Sequence, residues 1–320
     1  MIEQTGAKKE VVVAFGGVGP EREVSLASGT AVLEGFRSRN RKARGVDVRS
    51  LRDAWELVAS ARPCVVFVAL HGAWGEDGRF QALLEMGEVP YTGTGPGGCA
   101  LAMDKVASKA IFQEQGIPVA WSRGVLEGEN PWSVPEVRQR VEAGRRLVVK
   151  PARCGSTVGI SVVTDRKALE EGVTYARNFD KKILVEDFVP GREITVAVWE
   201  GERGPETLPP VEIQPREGFY SYAAKYTAGA STYLVPAPLS AAEDERVRRA
   251  AIGAHRAVGC AVYSRVDLRL TASGEPRVLE VNTAPGMTAT SLVPKAAAAR
   301  GWSFGELVER IVDRSLACRR

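Results

Sequence analysis

Ser264-Arg265-Val266-Asp267-Leu268 and Val278-Leu279-Glu280-Val281-Asn282 are two runs in which charged and apolar residues alternate, joined across a turn at Ser273-Gly274. Successive side chains on a strand point to opposite faces. The period therefore predicts a β-hairpin with Arg265 and Asp267 on one face, Glu280 and Asn282 on one face, and Val266, Leu268, Leu279 and Val281 buried. If the two polar faces coincide, two carboxylates, an amide oxygen and a guanidinium converge. Such hard oxygen donors suit Mg²⁺ completed by water and phosphate oxygens, and an adjacent guanidinium can hold a phosphoryl or oxyanion group. An ordinary amphipathic hairpin with a surface ion pair has the same pattern. The segment that follows, Thr283-Ala284-Pro285-Gly286-Met287, tilts the reading toward a ligand, because its glycine lets backbone N–H groups approach one closely.

Upstream lie two lysines that an anion would explain. Lys105 opens a helix expected over 104–115, where its charge opposes the helix dipole. Lys150 ends a strand just before Cys154-Gly155-Ser156-Thr157-Val158-Gly159. Backbone N–H groups of such a glycine-bearing flap can lie across phosphates, although a plain hairpin turn reads the same way. Strands are expected at 147–150, 160–163 and 183–186, and a helix capped by Ser133 with Glu136 three residues on. Further along, strands at 194–199 and 211–214, a helix over 241–258 and a last helix capped by Ser303 and Glu306 complete the pattern.

The N-terminal third reads as an α/β unit with a parallel sheet. It has strands at 11–15 and 64–70, a helix over 24–36 with Val24, Ala27, Ala31, Val32 and Phe36 as its apolar stripe, and a helix over 80–86. His71 follows the second buried strand, where such folds place ligand contacts. Glu21 and Glu23 sit at the start of the first helix, where capping is the simplest account. Gly16-Gly17-Val18-Gly19 fails the dinucleotide fingerprint, because Arg22 stands at its last glycine position, and no GxxxxGK[ST] occurs. His255, mid-helix beside Ala254 and Val258, reads as structural.

Bulk properties bound the rest. A chain of 320 residues with 44% hydrophobic and 26% charged residues is long enough for two or three domains. A net charge of +4 is too small to argue for nucleic acid, and the basic run from Arg37 to Arg44 reads as a solvated helix end and loop. Five scattered cysteines without a CxxC pair suggest neither a disulfide framework nor a zinc site. Apolar runs are too short to span a bilayer and the N-terminus has no signal core, so a cytoplasmic location is expected.

In order along the chain, these segments resemble the D-alanine–D-alanine ligase family of the ATP-grasp superfamily. The resemblance rests on Gly16-Gly17 with Glu21-Arg22-Glu23-Val24-Ser25, His71-Gly72 with Gly75-Glu76-Asp77-Gly78 and Gln81, and Met103-Asp104-Lys105. It continues through Lys150-Pro151, Gly155 to Gly159, Ala224-Lys225-Tyr226, Arg265-Val266-Asp267, Glu280-Val281-Asn282-Thr283, Pro285-Gly286-Met287-Thr288 and Ser291-Leu292-Val293-Pro294.

The resemblance implies an ATP-grasp architecture, α/β and α+β. Residues 1–93 would be an N-terminal substrate-binding domain, 94–188 a central domain with the flap, and 189–320 a C-terminal domain with the metal and oxyanion site and a lid over about 216–230. It implies that ATP phosphorylates the carboxylate of one D-alanine and that the amine of a second attacks the acyl phosphate. The dipeptide would serve peptidoglycan synthesis, cell-wall biogenesis and cell shape.

By carry-over, Lys105, Lys150 and Lys225 hold phosphates, and Glu186, Phe188 and Val189 line the adenine pocket, with Glu193 on the ribose. Asp267, Glu280 and Asn282 bind two Mg²⁺ ions, with Mn²⁺ as a substitute. Glu21, Ser156 and Tyr226 hold the first amino group, and His71 lies near its carboxylate. Arg265 and the Gly286 N–H form the oxyanion hole, while Ser291 and Leu292 receive the second carboxylate. A homodimer is expected, with no nucleic-acid or membrane partner. Three departures stand out: Val18-Gly19 in the first loop, Cys154 in the flap, and Asp187 where the adenine hinge often has lysine. The rivals are a ligase using D-lactate or D-serine as second substrate, and a silent nucleotide-binding protein. Lys225-Tyr226 in the lid favours the dipeptide-forming activity.

Overall fold

The computed structural model describes residues 9–61, 64–155, 157–216 and 229–318. Three sheets organise it. In the first, β1 (Val11–Gly16) lies between β2 (Ala43–Val48) and β3 (Val65–Val68), all parallel. Helices α1 (Arg22–Ser38), α2 (Leu51–Ser60) and α3 (Arg79–Met86) accompany it. Such a sheet is covered on both faces, which is why its strands are continuously apolar rather than alternating. Val11 and Val13 pack into one core with Phe36 and Phe67, whereas Val12 and Ala14 pack into another with Leu57 and Leu70.

The second sheet is antiparallel, in the order β4 (Ser122–Val125), β7 (Ile183–Asp187), β5 (Leu147–Pro151), β6 (Ser161–Val163). It is preceded by α4 (Pro96–Met103) and α5 (Lys105–Glu114), and α6 (Pro135–Glu142) and α7 (Arg166–Arg177) belong to the same stretch. The flap is the hairpin connection between β5 and β6, as its turn chemistry predicts. Ser133 does not cap α6: Pro135 occupies the first turn, Val134 stands at the cap position, and the Ser133 hydroxyl donates to Asn130 O instead.

The third sheet has six strands. Its path runs β11 (Ser231–Leu234), β10 (Val211–Pro215), β8 (Arg192–Gly201), β12 (Tyr263–Leu270), β13 (Pro276–Asn282), with β9 (Gly204–Thr207) also on β8. Helix α8 (Ala241–Ala257) covers it through Val247, Ala251 and Ala254, which meet Val196, Val266, Leu268 and Val281. Helices α9 (Leu292–Ala299) and α10 (Phe304–Ala317) close the chain, and Ser303 and Glu306 form a reciprocal capping box at the start of α10. Helix α10 packs against α1, so the C-terminus is bound to the N-terminal sheet through Val308, Ile311 and Val312 beside Val32 and Phe36.

Three expectations need correction. The inner face of α1 is not Val24, Ala27 and Ala31; it is Ser25, Ser28, Gly29, Val32 and Phe36, with small polar residues at the end that approaches the site. The basic run is not all solvated: Arg41 is buried and Arg39 reaches Glu309 of α10 at 3.0 Å. Leu279 does not join the buried face of its hairpin, for a reason that belongs to the site.

Candidate active site

The polar faces of the β12–β13 hairpin do coincide. Arg265 pairs with Asn282 and Asp267 with Glu280 across the ladder, and the register then slips, so that Leu268 faces Val278 and Leu279 is the extra residue of a β-bulge. A bulge bends its strand and re-aims a side chain. Leu279 consequently leaves the core side and lines a cavity with Lys150, Glu186 and Phe188. On the polar face, Arg265 holds Asp267 by two parallel hydrogen bonds of 2.9 and 2.7 Å. Asn282 Nδ2 donates to Asp267 Oδ2 at 3.2 Å, and Thr195 Oγ1 donates to Asp267 Oδ1.

Among the described residues, no group of three His, Cys, Asp or Glu side chains could hold a metal ion by itself. Two carboxylates and one amide oxygen on a single face nevertheless fit Mg²⁺, which characteristically takes few protein oxygens and completes its shell with water and phosphate. Cations already stand where that charge would go: Arg265 on Asp267, and Lys105 Nζ 3.1 Å from Glu280 Oε2.

Lys105 is positioned by Asp104, whose carboxylate caps α5 by accepting from the N–H groups of Val106 and Ala107. The ammonium also donates to Cys154 O of the flap at 2.8 Å. Burial opposes the charge on Lys105, but Glu280 outweighs it and holds the ammonium above its ordinary value. One turn on, Lys109 and the strand-end Lys150 bracket Glu186 at 2.8 and 2.6 Å, all three buried. Burial pushes the Glu186 carboxyl up; Lys109 and Lys150 more than reverse this and bring it down to about 2. The sequence reading missed Lys109, although its spacing of four from Lys105 places both on one helix face.

The cavity containing Glu186 also takes Phe188, Val189, Glu193, Asp267 and Glu280. Glu193 pairs with Arg269 at 2.9 Å, and Arg269 also donates to Val189 O. Asp187 is occupied by Arg140 at 3.1 Å and Arg145 at 3.3 Å, and the Arg140 guanidinium lies 3.6 Å from the centre of the Trp121 ring. Asp187 is thus neutralised by two arginines.

A second cavity of about 490 Å³ adjoins the first and is lined by Glu21, His71, Arg265, Asn282, Gly286, Ser291 and Leu292 among others. Glu280 and Gly155 line both. Glu21 occupies the cap position of α1 without capping it, so the simple account of this carboxylate fails. Instead it passes between two bare backbones. A Cβ at Gly72, which has a left-handed φ of 62°, would collide with it, and one at Gly155 would lie 3.0 Å from Glu21 Oε1. His71 has both ring nitrogens engaged, Nδ1 with Ala284 O at 3.0 Å and Nε2 with Ser28 Oγ at 2.9 Å. The Ser291 hydroxyl contacts that of Thr288 at 2.8 Å and accepts from Thr288 N. Ser156, Lys225 and Tyr226 lie outside the described residues. His255 is fully buried between Ser264 and Glu200, consistent with the structural role expected for it.

Sequence and structure comparisons show the family and the fold. The family described as "D-ala D-ala ligase C-terminus" matches residues 111–313, and "D-ala D-ala ligase N-terminus" matches 39–94. A "D-alanine--D-alanine ligase" of Anaeromyxobacter sp. is 46% identical over 95% of this chain and 96% of its own. One from Synechococcus sp. is 44% identical over 96% and 93%. Among solved structures, D-alanine–D-alanine ligase from Bacillus anthracis complexed with ATP superposes with a TM-score of 0.83 at 30% identity, covering 98% of each chain. The VanG D-Ala:D-Ser ligase of Enterococcus faecalis gives 0.80 at 28%, covering 97% of this chain and 100% of its own.

Proposed function

The chain belongs to the D-alanine–D-alanine ligase family, and from that premise we propose how its residues join two D-alanine molecules at the expense of ATP to make the dipeptide of peptidoglycan precursors. The fold is the ATP-grasp fold of its structural neighbours. The observation that carries the assignment of roles is that two cavities meet at Glu280 and Gly155, one rich in lysines and apolar walls, the other in groups suited to an amino acid.

In this reading the nucleotide lies in the cavity of Glu186, Phe188, Val189, Glu193 and Leu279, its phosphates on Lys105 and Lys150 and, by the family resemblance, Lys225. The first D-alanine places its ammonium on Glu21, aided by Ser156 and Tyr226, and its carboxylate toward the γ-phosphate. A carboxylate oxygen attacks phosphorus, the bond to ADP breaks, and an acyl phosphate results. The second D-alanine, its carboxylate at Ser291 and Leu292, then attacks the acyl carbon through its amine. Arg265 and the Gly286 N–H receive the oxyanion of the tetrahedral species, which loses phosphate and a proton to give the amide. Asp267, Glu280 and Asn282 would hold Mg²⁺ or Mn²⁺, which neutralises phosphate charge when bound. The lid expected over about 216–230, most of which lies outside the described residues, would keep water from the acyl phosphate.

Resemblance also supports a cytoplasmic homodimer. Among the described residues no helix is long and apolar enough to cross a membrane. A coupled ADP-release assay tests the assignment: release should require D-alanine together with a divalent cation and should be lost in Glu280→Gln. ADP release indifferent to D-alanine, or a clear preference for D-lactate or D-serine as second substrate at neutral pH, would overturn it.

A further inference from the structure

The loop after β13 carries Gly286, and two residues flanking that glycine are held by groups from the other end of the chain. Met287 N donates to Ser28 Oγ at 3.2 Å, and Ala284 O meets His71 Nδ1 at 3.0 Å. Ser28 Oγ and His71 Nε2 close the circuit at 2.9 Å. All four residues are buried, with Ser28 fully so and His71 7% exposed. The proton positions in a neutral ring follow from the partners. A carbonyl only accepts, so Nδ1 carries the ring proton and Nε2 must accept. The Ser28 hydroxyl therefore donates to Nε2, and a lone pair on its oxygen takes the Met287 N–H.

We infer that Ser28, acting through His71, is a positioning residue that fixes the oxyanion loop, holding Gly286 between two anchored neighbours, Ala284 and Met287. The inference rests on the proposed oxyanion role of Gly286 and deepens it. It also explains a hydroxyl on the inner face of α1, where a buried polar atom requires partners. Helix α1 begins beside Glu21, so one rigid element sets the place of both the first amino group and the oxyanion donor. Displacement of a positioned group by about 1 Å can cost on the order of 10²-fold in rate.

Ser28→Ala and Ser28→Thr in the full chain test this. Ser28→Ala should lower kcat by roughly 10- to 100-fold with KM for ATP within about twofold, and Ser28→Thr, which keeps the hydroxyl, should recover most of the rate. Wild-type turnover in Ser28→Ala, or equal losses in both variants with KM for ATP rising in parallel, would overturn the inference, the second outcome marking general loosening. A measurement free of variants stands beside it. With only 2 histidines in the chain, nitrogen NMR of the wild-type protein at pH 8 should report His71 as the Nδ1–H tautomer; the Nε2–H tautomer would break the proton circuit and sink the proposal. Absence of D-alanine-dependent ADP release in the wild-type chain would instead refute the functional reading, leaving the brace to be judged by the NMR result.

Discussion

Replacing Lys109 with methionine keeps the length of the side chain and deletes its charge, and the structure sets the consequence. The ammonium is 1% exposed, 2.8 Å from Glu186 Oε2, and donates to Val278 O at 3.3 Å. At an effective dielectric of about 20, a pair at that distance attracts by roughly 6 kcal/mol. Burial of both ions offsets much of this, and Lys150 remains to pair Glu186. Breaking one arm of such a cluster should then cost about 3 kcal/mol at neutral pH. For a chain of this length, unfolding as one unit, that is a fall of roughly 4–5 °C in the thermal midpoint.

The same geometry links stability to nucleotide binding. In its proposed phosphate-binding role Lys150 would turn from Glu186 toward the nucleotide, and without Lys109 that move would strand a buried carboxylate. KM for ATP in Lys109→Met should therefore rise at least about tenfold, with KM for D-alanine little changed. Differential scanning fluorimetry and ADP-release kinetics check both. A midpoint within 1 °C of wild type, or an unchanged KM for ATP, would show that Lys109 does not balance Glu186.

Arg265→Met should lower kcat by about 10²- to 10³-fold, as expected for loss of one oxyanion donor, measured by the same coupled assay. Leu279→Ala removes apolar wall from the proposed nucleotide cavity and none from the second cavity, so KM for ATP should rise by roughly tenfold while KM for D-alanine stays put. Acid stability should fall in two stages, followed by urea midpoints at several pH values. Burial lowers the His255 pKa from 6.5, so the unfolded chain takes up that proton first and stability declines as pH drops below about 6.5. Glu186, held at about 2 against 4.5, contributes stability above pH 4.5 that is lost as pH falls through the window down to about 2. A midpoint flat from pH 6.5 to 5 would contradict the first stage, and one flat from pH 4.5 down to about 2 the second.

Much of the site was readable from alternation and order. The hairpin faces, the strand-end lysine and the flap follow from period and turn chemistry, because a strand whose one face is buried has little freedom of register. What was not readable depends on an irregularity or on distant partners. Leu279 looked like core because strict alternation ignores a bulge. Ser28 carries no local signal, since its partners His71 and Met287 lie far along the chain. Position alone made Glu21 a helix cap and only the resemblance gave it an amino-group role; the approach of Gly72 and Gly155 shows a carboxylate set between two backbones. Arg41, read as solvated, is covered near α10 by packing that no local window contains.

The extra residue in β13 separates two properties that a regular ladder would bind together. Without Leu279, Val278 would directly precede Glu280 in perfect alternation, so Glu280 would still meet Asp267 and the valine would still face α8. The charged pair and the apolar face against α8 are thus already present in an even hairpin, and the extra residue adds an apolar wall to the proposed nucleotide cavity. A substitution at position 279 therefore reshapes that cavity wall while leaving the Asp267–Glu280 pairing in place.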